Sequence, residues 1–78
     1  MSVSPAQCRA GRALVEMTQA ALATAASVAR AVIVDFEKGR RIPHKNNVTA
    51  IRQALEKAGV EFTNGDAPGV RFKKTRHR

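Results

Sequence analysis

Tryptophan and tyrosine are absent, and phenylalanine occurs only three times, at Phe36, Phe62 and Phe72. The core must therefore be assembled from Ala, Val, Leu and Ile, which suits small, closely packed helices. Cysteine occurs once, as Cys8. An internal disulfide is excluded, in keeping with a reducing compartment, and one turn into a predicted helix Cys8 is expected to pack as a small hydrophobe. No apolar run approaches the ~20 residues needed to cross a bilayer, and the first residues have neither the basic start nor the apolar stretch of a secretory leader. The expectation is a soluble, cytoplasmic protein that does not engage a membrane. Neither serine nor cysteine stands in a nucleophile motif, and there is no glycine-rich phosphate loop. His44 and His77 have no Cys or carboxylate partners at metal-ligand spacing. No catalytic residue, metal or cofactor is expected, and the chain reads as something other than an enzyme.

Acidic residues are also scarce: six against fourteen Lys and Arg give a net charge of +8. Lys73, Lys74, Arg76 and Arg78 supply four of those cations within the last six residues. Without them ten cations face six acids, and a surplus of +4 remains. Such a surplus attracts polyanions, with nucleic acid ahead of a membrane surface because no long apolar helix face lies beside a lysine-rich one. Seventy-eight residues suffice for one domain, since a chain of this size buries only about 60–65% of its unfolded surface.

The local signals divide the chain into four helices and a hairpin. Ser4-Pro5-Ala6-Gln7 reads as an N-cap, a first-turn proline and the closing residue of a capping box, opening a helix over about 5–15 that buries Cys8, Gly11, Leu14 and Val15. Thr18 caps an alanine-rich helix over about 19–26 that turns Leu22, Ala23 and Ala26 inward. A third helix over about 29–38 buries Ile33, Phe36 and the stem of Glu37 and ends at Gly39. After a connector around Pro43, Asn46 or Asn47 caps a fourth helix over about 47–58, with Val48, Ile51, Leu55 and Ala58 on one face and Gly59 as its stop. Val60-Glu61-Phe62 and Val70-Arg71-Phe72 alternate apolar and polar around a turn-rich segment, predicting a hairpin over about 60–72. Residues 1–72 thus form the domain, and 73–78 a basic, disordered tail.

Two short helices joined by a tight turn, from Gln19 to Lys38, have the spacing of a helix-turn-helix, whose second helix enters the major groove. With Met17-Thr18-Gln19, Leu22-Ala23, Val28, Ile33, Phe36-Glu37-Lys38-Gly39 and Arg40-Arg41-x-Pro43, the chain resembles the Xre/Cro-like family of phage-repressor-type regulators over about Ser4 to Val60. The resemblance implies a mainly α, compact four-helix repressor-like DNA-binding domain, here with a short C-terminal β-hairpin. It implies base reading by Arg30, Ala31, Val34 and Asp35 on the exposed face of the third helix. A phosphate anchor is implied at Gln19, with further phosphate contacts at Lys38, Arg40, Arg41 and Lys45, and a structural ion pair between Arg12 and Glu37. Arg30 is the strongest base reader, because a guanidinium can bond guanine O6 and N7 together; Ala31 and Val34 can touch only thymine methyls, and Asp35 can accept from cytosine N4.

Three positions depart from the family pattern. Ser27 replaces the usual turn glycine, Ala29 the usual Ser or Thr cap of the recognition helix, and Ala21 a frequent capping-box Glu. The expected partner is double-stranded DNA, bound sequence-specifically by a small transcriptional regulator, with repression as the expected mode of action. A lone module buries only about 600–1,000 Å² and reads a half-site, so a homodimer is expected, joined through the hairpin or the fourth helix. The competing reading is a protein-binding module, antiactivator or antitoxin-like, in which Val32 and Val34 give the same scaffold an apolar docking face for a regulatory protein.

Overall fold

The computed structural model describes residues 3–64 and 68–73. The chain forms α1 (Pro5–Leu14), α2 (Gln19–Ala26), α3 (Arg30–Glu37) and α4 (Lys45–Ala58), then β1 (Val60–Thr63) and β2 (Gly69–Phe72). It is a four-helix fold closed by a short antiparallel hairpin. α1 starts where the Ser4 hydroxyl accepts from the Gln7 N–H and the Gln7 side-chain Oε1 accepts from the Ser4 N–H, both at 3.0 Å. The Gln7 amide has a second role that its place in the capping box does not reveal. Its Nε2 donates to the carbonyl oxygens of Thr63 and Gly69 at 3.2 and 3.1 Å, tying the hairpin to the start of α1.

Leu22, Ile33, Ile51, Leu55, Val60 and Cys8 fill the centre and are fully buried. α2 lies between α3 and α4, made close by Ala23, Ala26 and Ala54, while β1 covers α4 and β2 covers α1. Register pairs Val60 with Phe72 and Phe62 with Val70. Phe62 is buried, with the Arg52 guanidinium 5.4 Å from its ring centroid.

Several boundaries and core positions differ from those read in the sequence. α1 stops at Leu14, and Leu14 and Val15 are only half-buried, because Glu16 turns the chain out of the helix with a left-handed φ of 56°. α4 starts at Lys45, so neither Asn46 nor Asn47 is its cap; the His44 Nδ1 accepts from the Asn46 N–H at 3.2 Å instead. Ala54, not the exposed Ala58, completes the buried face of α4, since by residue 58 the helix has run past the core. Disorder from residue 73 onward does not describe Lys73, whose N–H donates to the Gly59 carbonyl and whose Nζ donates to the Glu56 carbonyl, each at 2.7 Å. The remaining tail cations, Lys74, Arg76 and Arg78, together with His77, lie outside the described residues.

The turn of the motif holds local strain. Ser27 sits in the left-handed region at φ 58°, ψ 43°, and Ala29 precedes α3 with no side-chain cap. A left-handed L-residue costs about 1 kcal/mol and a missing cap about 0.5–2 kcal/mol. Ser27→Gly and Ala29→Ser should therefore each stabilise the domain by about 0.5–1 kcal/mol. In a chain this short that raises Tm by about 2–8 °C per variant, checked by thermal melts followed by circular dichroism. Unmoved melting temperatures would mean that the turn is not strained.

Candidate nucleic-acid interface

Glu37 is the last residue of α3 and is 3% exposed, although it carries a charge. A carboxylate survives there only if its oxygens are satisfied. Arg12 of α1 donates from Nε to Oε2 and from Nη2 to Oε1, both at 2.7 Å, a bidentate pair whose arginine is 19% exposed. The buried Cys8 thiol donates to Oε2 at 3.1 Å, and Gln19 Nε2 donates to Oε1 at 3.0 Å. Arg12 Nη1 also donates to the Met17 carbonyl at 3.0 Å, and Arg9 Nη1 donates to the Glu37 carbonyl. One carboxylate thus fixes α1, the start of α2 and the end of α3 relative to one another.

Burial alone would raise the Glu37 carboxyl, but hydrogen bonds from Arg12, Cys8 and Gln19 and the charge of Arg12 outweigh it and hold the group below its ordinary value. Burial, and then the hydrogen bond to Glu37, push the Cys8 thiol far above the usual thiol range.

The motif's outward face is built on this lock. α2 and α3 meet at a bend of 118°, within the range of helix-turn-helix pairs. Thr18 Oγ1 accepts from the Ala21 N–H at 2.9 Å and caps α2. Arg12, Thr18, Gln19, Ala20 and Arg30 line a recess of about 550 Å³ that joins the N-terminus of α2 to the first turn of α3. Free backbone N–H groups, the positive end of a helix dipole and two guanidinium groups make this recess suited to a phosphate. Gln19 enters it with one amide hydrogen committed to Glu37 and the second available to a ligand.

Arg30 and Ala31 are exposed in the first turn of α3, and Val34 and Asp35 are half-buried one turn later. Lys38 closes the same face and is exposed, eight residues or about 12 Å along the axis from Arg30. Cations therefore stand at both ends of the exposed helix face, with Ala31, Val34 and the acid Asp35 between them. Asp35 has its own cation: Arg41 Nε lies 3.8 Å from its carboxylate. The sequence placed these two residues in separate roles, and only the fold of the connector brings them together. Arg40 is exposed in that connector. Lys45 is also exposed, in the first turn of α4, where the dipole disfavours a cation unless an anion is near. Arg9 was not among the residues singled out in the sequence; only its place one turn before Arg12 hinted at it. Among the described residues no three His, Cys, Asp or Glu side chains gather as a metal site requires, and no single helix is long and apolar enough to cross a membrane.

Two short helices at this angle, the first with an anion-ready N-terminus and the second with an open basic-ended face, define a helix-turn-helix protein. The comparison with known families agrees: a helix-turn-helix family model, HTH_3, matches residues 9–62, and the chain belongs to this Xre/Cro-like family of DNA-binding regulators. No curated protein matches the chain in sequence.

Removing Arg12 leaves Glu37 buried without its counter-ion, so Arg12→Ala should cost about 3–5 kcal/mol, read from urea midpoints at pH 7. The depressed carboxyl of Glu37 also sets a direction for pH. Its contribution is complete above the unfolded carboxyl pKa of about 4.3 and is lost as pH falls through the lower, folded value. Stability of the native protein should therefore decline on acidification below about pH 4.3. In Arg12→Ala, where burial of the carboxyl is less opposed, the acid-side loss from Glu37 should shrink or reverse, so that the stability gap between the two proteins narrows on acidification. Midpoints measured from pH 7 to pH 3 for both proteins check this.

Proposed function

We propose that the chain binds double-stranded DNA sequence-specifically through α3, as a small cytoplasmic transcriptional repressor acting as a homodimer on a two-fold operator. The observation that carries this reading is the shared recess of Gln19 and Arg30. A phosphate seated at the N-terminus of α2 would fix the register of α3, and Arg30 would then stand at the base edges with its two donors for guanine O6 and N7. Ala31 and Val34 supply the apolar contact for thymine methyls. Asp35, tethered by Arg41, accepts from cytosine N4 and disfavours bases that offer only acceptors. Gln19, Lys38, Arg40, Arg41 and Lys45 take the flanking phosphates.

One observation favours the competing reading, a docking face for a regulatory protein. Ile42 is 92% exposed and shares a hollow of about 250 Å³ with Val32, Pro43 and Asn47. Apolar side chains at a protein interface contribute most where they are desolvated, whereas rim charges contribute little.

The two readings separate in one set of measurements: selection of bound sequences from random duplex at two salt concentrations, followed by titration of Arg30→Ala and Ile42→Ser. On DNA, Arg30→Ala should cost about 1–3 kcal/mol and relax preference at one guanine. Lys45→Ala should instead weaken all duplexes alike and lower the slope of log K against log salt by about 0.9. Unchanged affinity and preference in Arg30→Ala would overturn the base-reading role. Absence of any selected sequence, with partner capture lost only in Ile42→Ser, would favour the protein-docking reading.

A further inference from the structure

The hairpin carries an aromatic side chain that the single chain leaves uncovered. The Lys73 N–H donates to the Gly59 carbonyl, which sets the phase of the ladder. Glu61 and Arg71 form a hydrogen-bonded pair, and Val60–Phe72 and Phe62–Val70 form non-bonded pairs. The N–H and C=O groups of Val70 and Phe72 therefore point away from β1, along the outer edge of β2. Among the described residues β2 is hydrogen-bonded only to β1 and, at Gly69, to the Gln7 side chain. The same alternation places Val60, Phe62, Val70 and Phe72 on one face of the hairpin. Val60 and Phe62 are buried and Val70 packs on the core, but Phe72 is 63% exposed.

We propose that β2 pairs antiparallel with β2 of a second copy of this chain, about a two-fold axis through Arg71, giving a four-stranded sheet in the order β1-β2-β2-β1. This register matches both outward-facing residues of each copy, Val70 with Phe72 of the other, so that all four outward N–H and C=O pairs on the two edges are used. A register centred on Val70 would set Phe72 against Pro68, which has no N–H to give. On the apolar face, Phe72 then lies between Val60 of its own chain and Val70 of the second copy, and is covered. On the opposite face the two Arg71 side chains meet, which by itself would be repulsive. Each, however, is 3.0 Å from Glu61 of its own chain, and the row Glu61-Arg71-Arg71-Glu61 sums to zero charge. The edge is thus complementary to itself in hydrogen bonding, apolar contact and charge. The pairing rests, for its purpose, on the two-fold operator reading above, though its geometry stands without DNA.

Sedimentation velocity at tens of micromolar should give a species of twice the 8.4 kDa chain mass. Phe72→Asp should return it to monomer with an unchanged circular dichroism spectrum. Because Arg71 sits on the axis, Arg71→Cys under air with copper–phenanthroline should yield a covalent dimer on a non-reducing gel. Glu61→Cys, one strand further from the axis, should not, and neither should the native chain, whose Cys8 is buried. A native chain that stays monomeric at these concentrations overturns the proposal. So does a dimer that survives Phe72→Asp, or an Arg71→Cys chain that does not cross-link. Binding to random duplex is measured on the same samples. A dimer abolished by Phe72→Asp in a protein that binds no DNA keeps the interface and discards the operator reading, and DNA binding by a strict monomer does the reverse.

Discussion

A buried carboxylate must be neutralised on the spot, and the rest of this structure is arranged around that requirement at Glu37. Two guanidinium hydrogen bonds, a thiol and an amide converge on it from α1 and α2. The bidentate geometry needs the planar fork of Arg12, which a lysine of equal charge does not offer. The arrangement has an electrostatic corollary for a protein that approaches a polyanion. An acid at the base of the recognition helix would repel phosphates if left open, but here its charge is internally matched while the cations on the outward face remain available. Gln19 belongs to both systems, held by Glu37 on one side and open to the α2 recess on the other.

The lock also explains how so weak a helix holds its place as the second helix of the motif. α3 has eight residues, no side-chain cap and no basic residue in its last turn. A helix this short is marginal on its own, and its persistence comes from burial of Ile33, Phe36 and Glu37. Local capping and tertiary packing therefore contribute unequally along the chain. α1 is defined by its own first four residues, whereas α3 is defined by what it lies against. The outward face of α3 is correspondingly free of structural duty, since none of Arg30, Ala31 or Lys38 is buried.

How much of this was legible in the sequence follows from the range of each interaction. Short-range signals were readable: the Ser4–Gln7 capping box, Thr18 as the cap of α2, the three- and four-residue spacing of Leu22, Ala23 and Ala26, and Gly59 as a stop. The start of α4 at Lys45 is hidden from the usual capping signals because His44 is an unusual cap whose ring nitrogen takes the place of a hydroxyl or carboxamide. The spacing points to Ala58, although Ala54 is the buried residue, because periodicity finds a helix face but not where the core beneath it ends. Long-range partners were out of reach of periodicity altogether. The Gln7 contact with β2 spans 62 residues, the Asp35–Arg41 pair depends on the path of the connector, and Lys73 is ordered by carbonyls at the end of α4. The Arg12 and Glu37 pairing could be expected only through family resemblance, because nothing in local spacing links residues 25 apart.

Cys8 gives the lock a property separate from binding. It is the only sulfhydryl in the chain, it is fully buried, and its proton is held by the Glu37 carboxylate. Only a thiolate reacts readily with an alkylating or disulfide reagent, so the thiol is inert while α1 rests on α3. A reagent in solution meets it only in the fraction of molecules in which those helices have parted. The rate at which the native protein takes up a single label is therefore a clock for that opening, in the manner of amide hydrogen exchange but at one chosen atom. It distinguishes loosening at the base of the recognition helix from unravelling elsewhere in the domain.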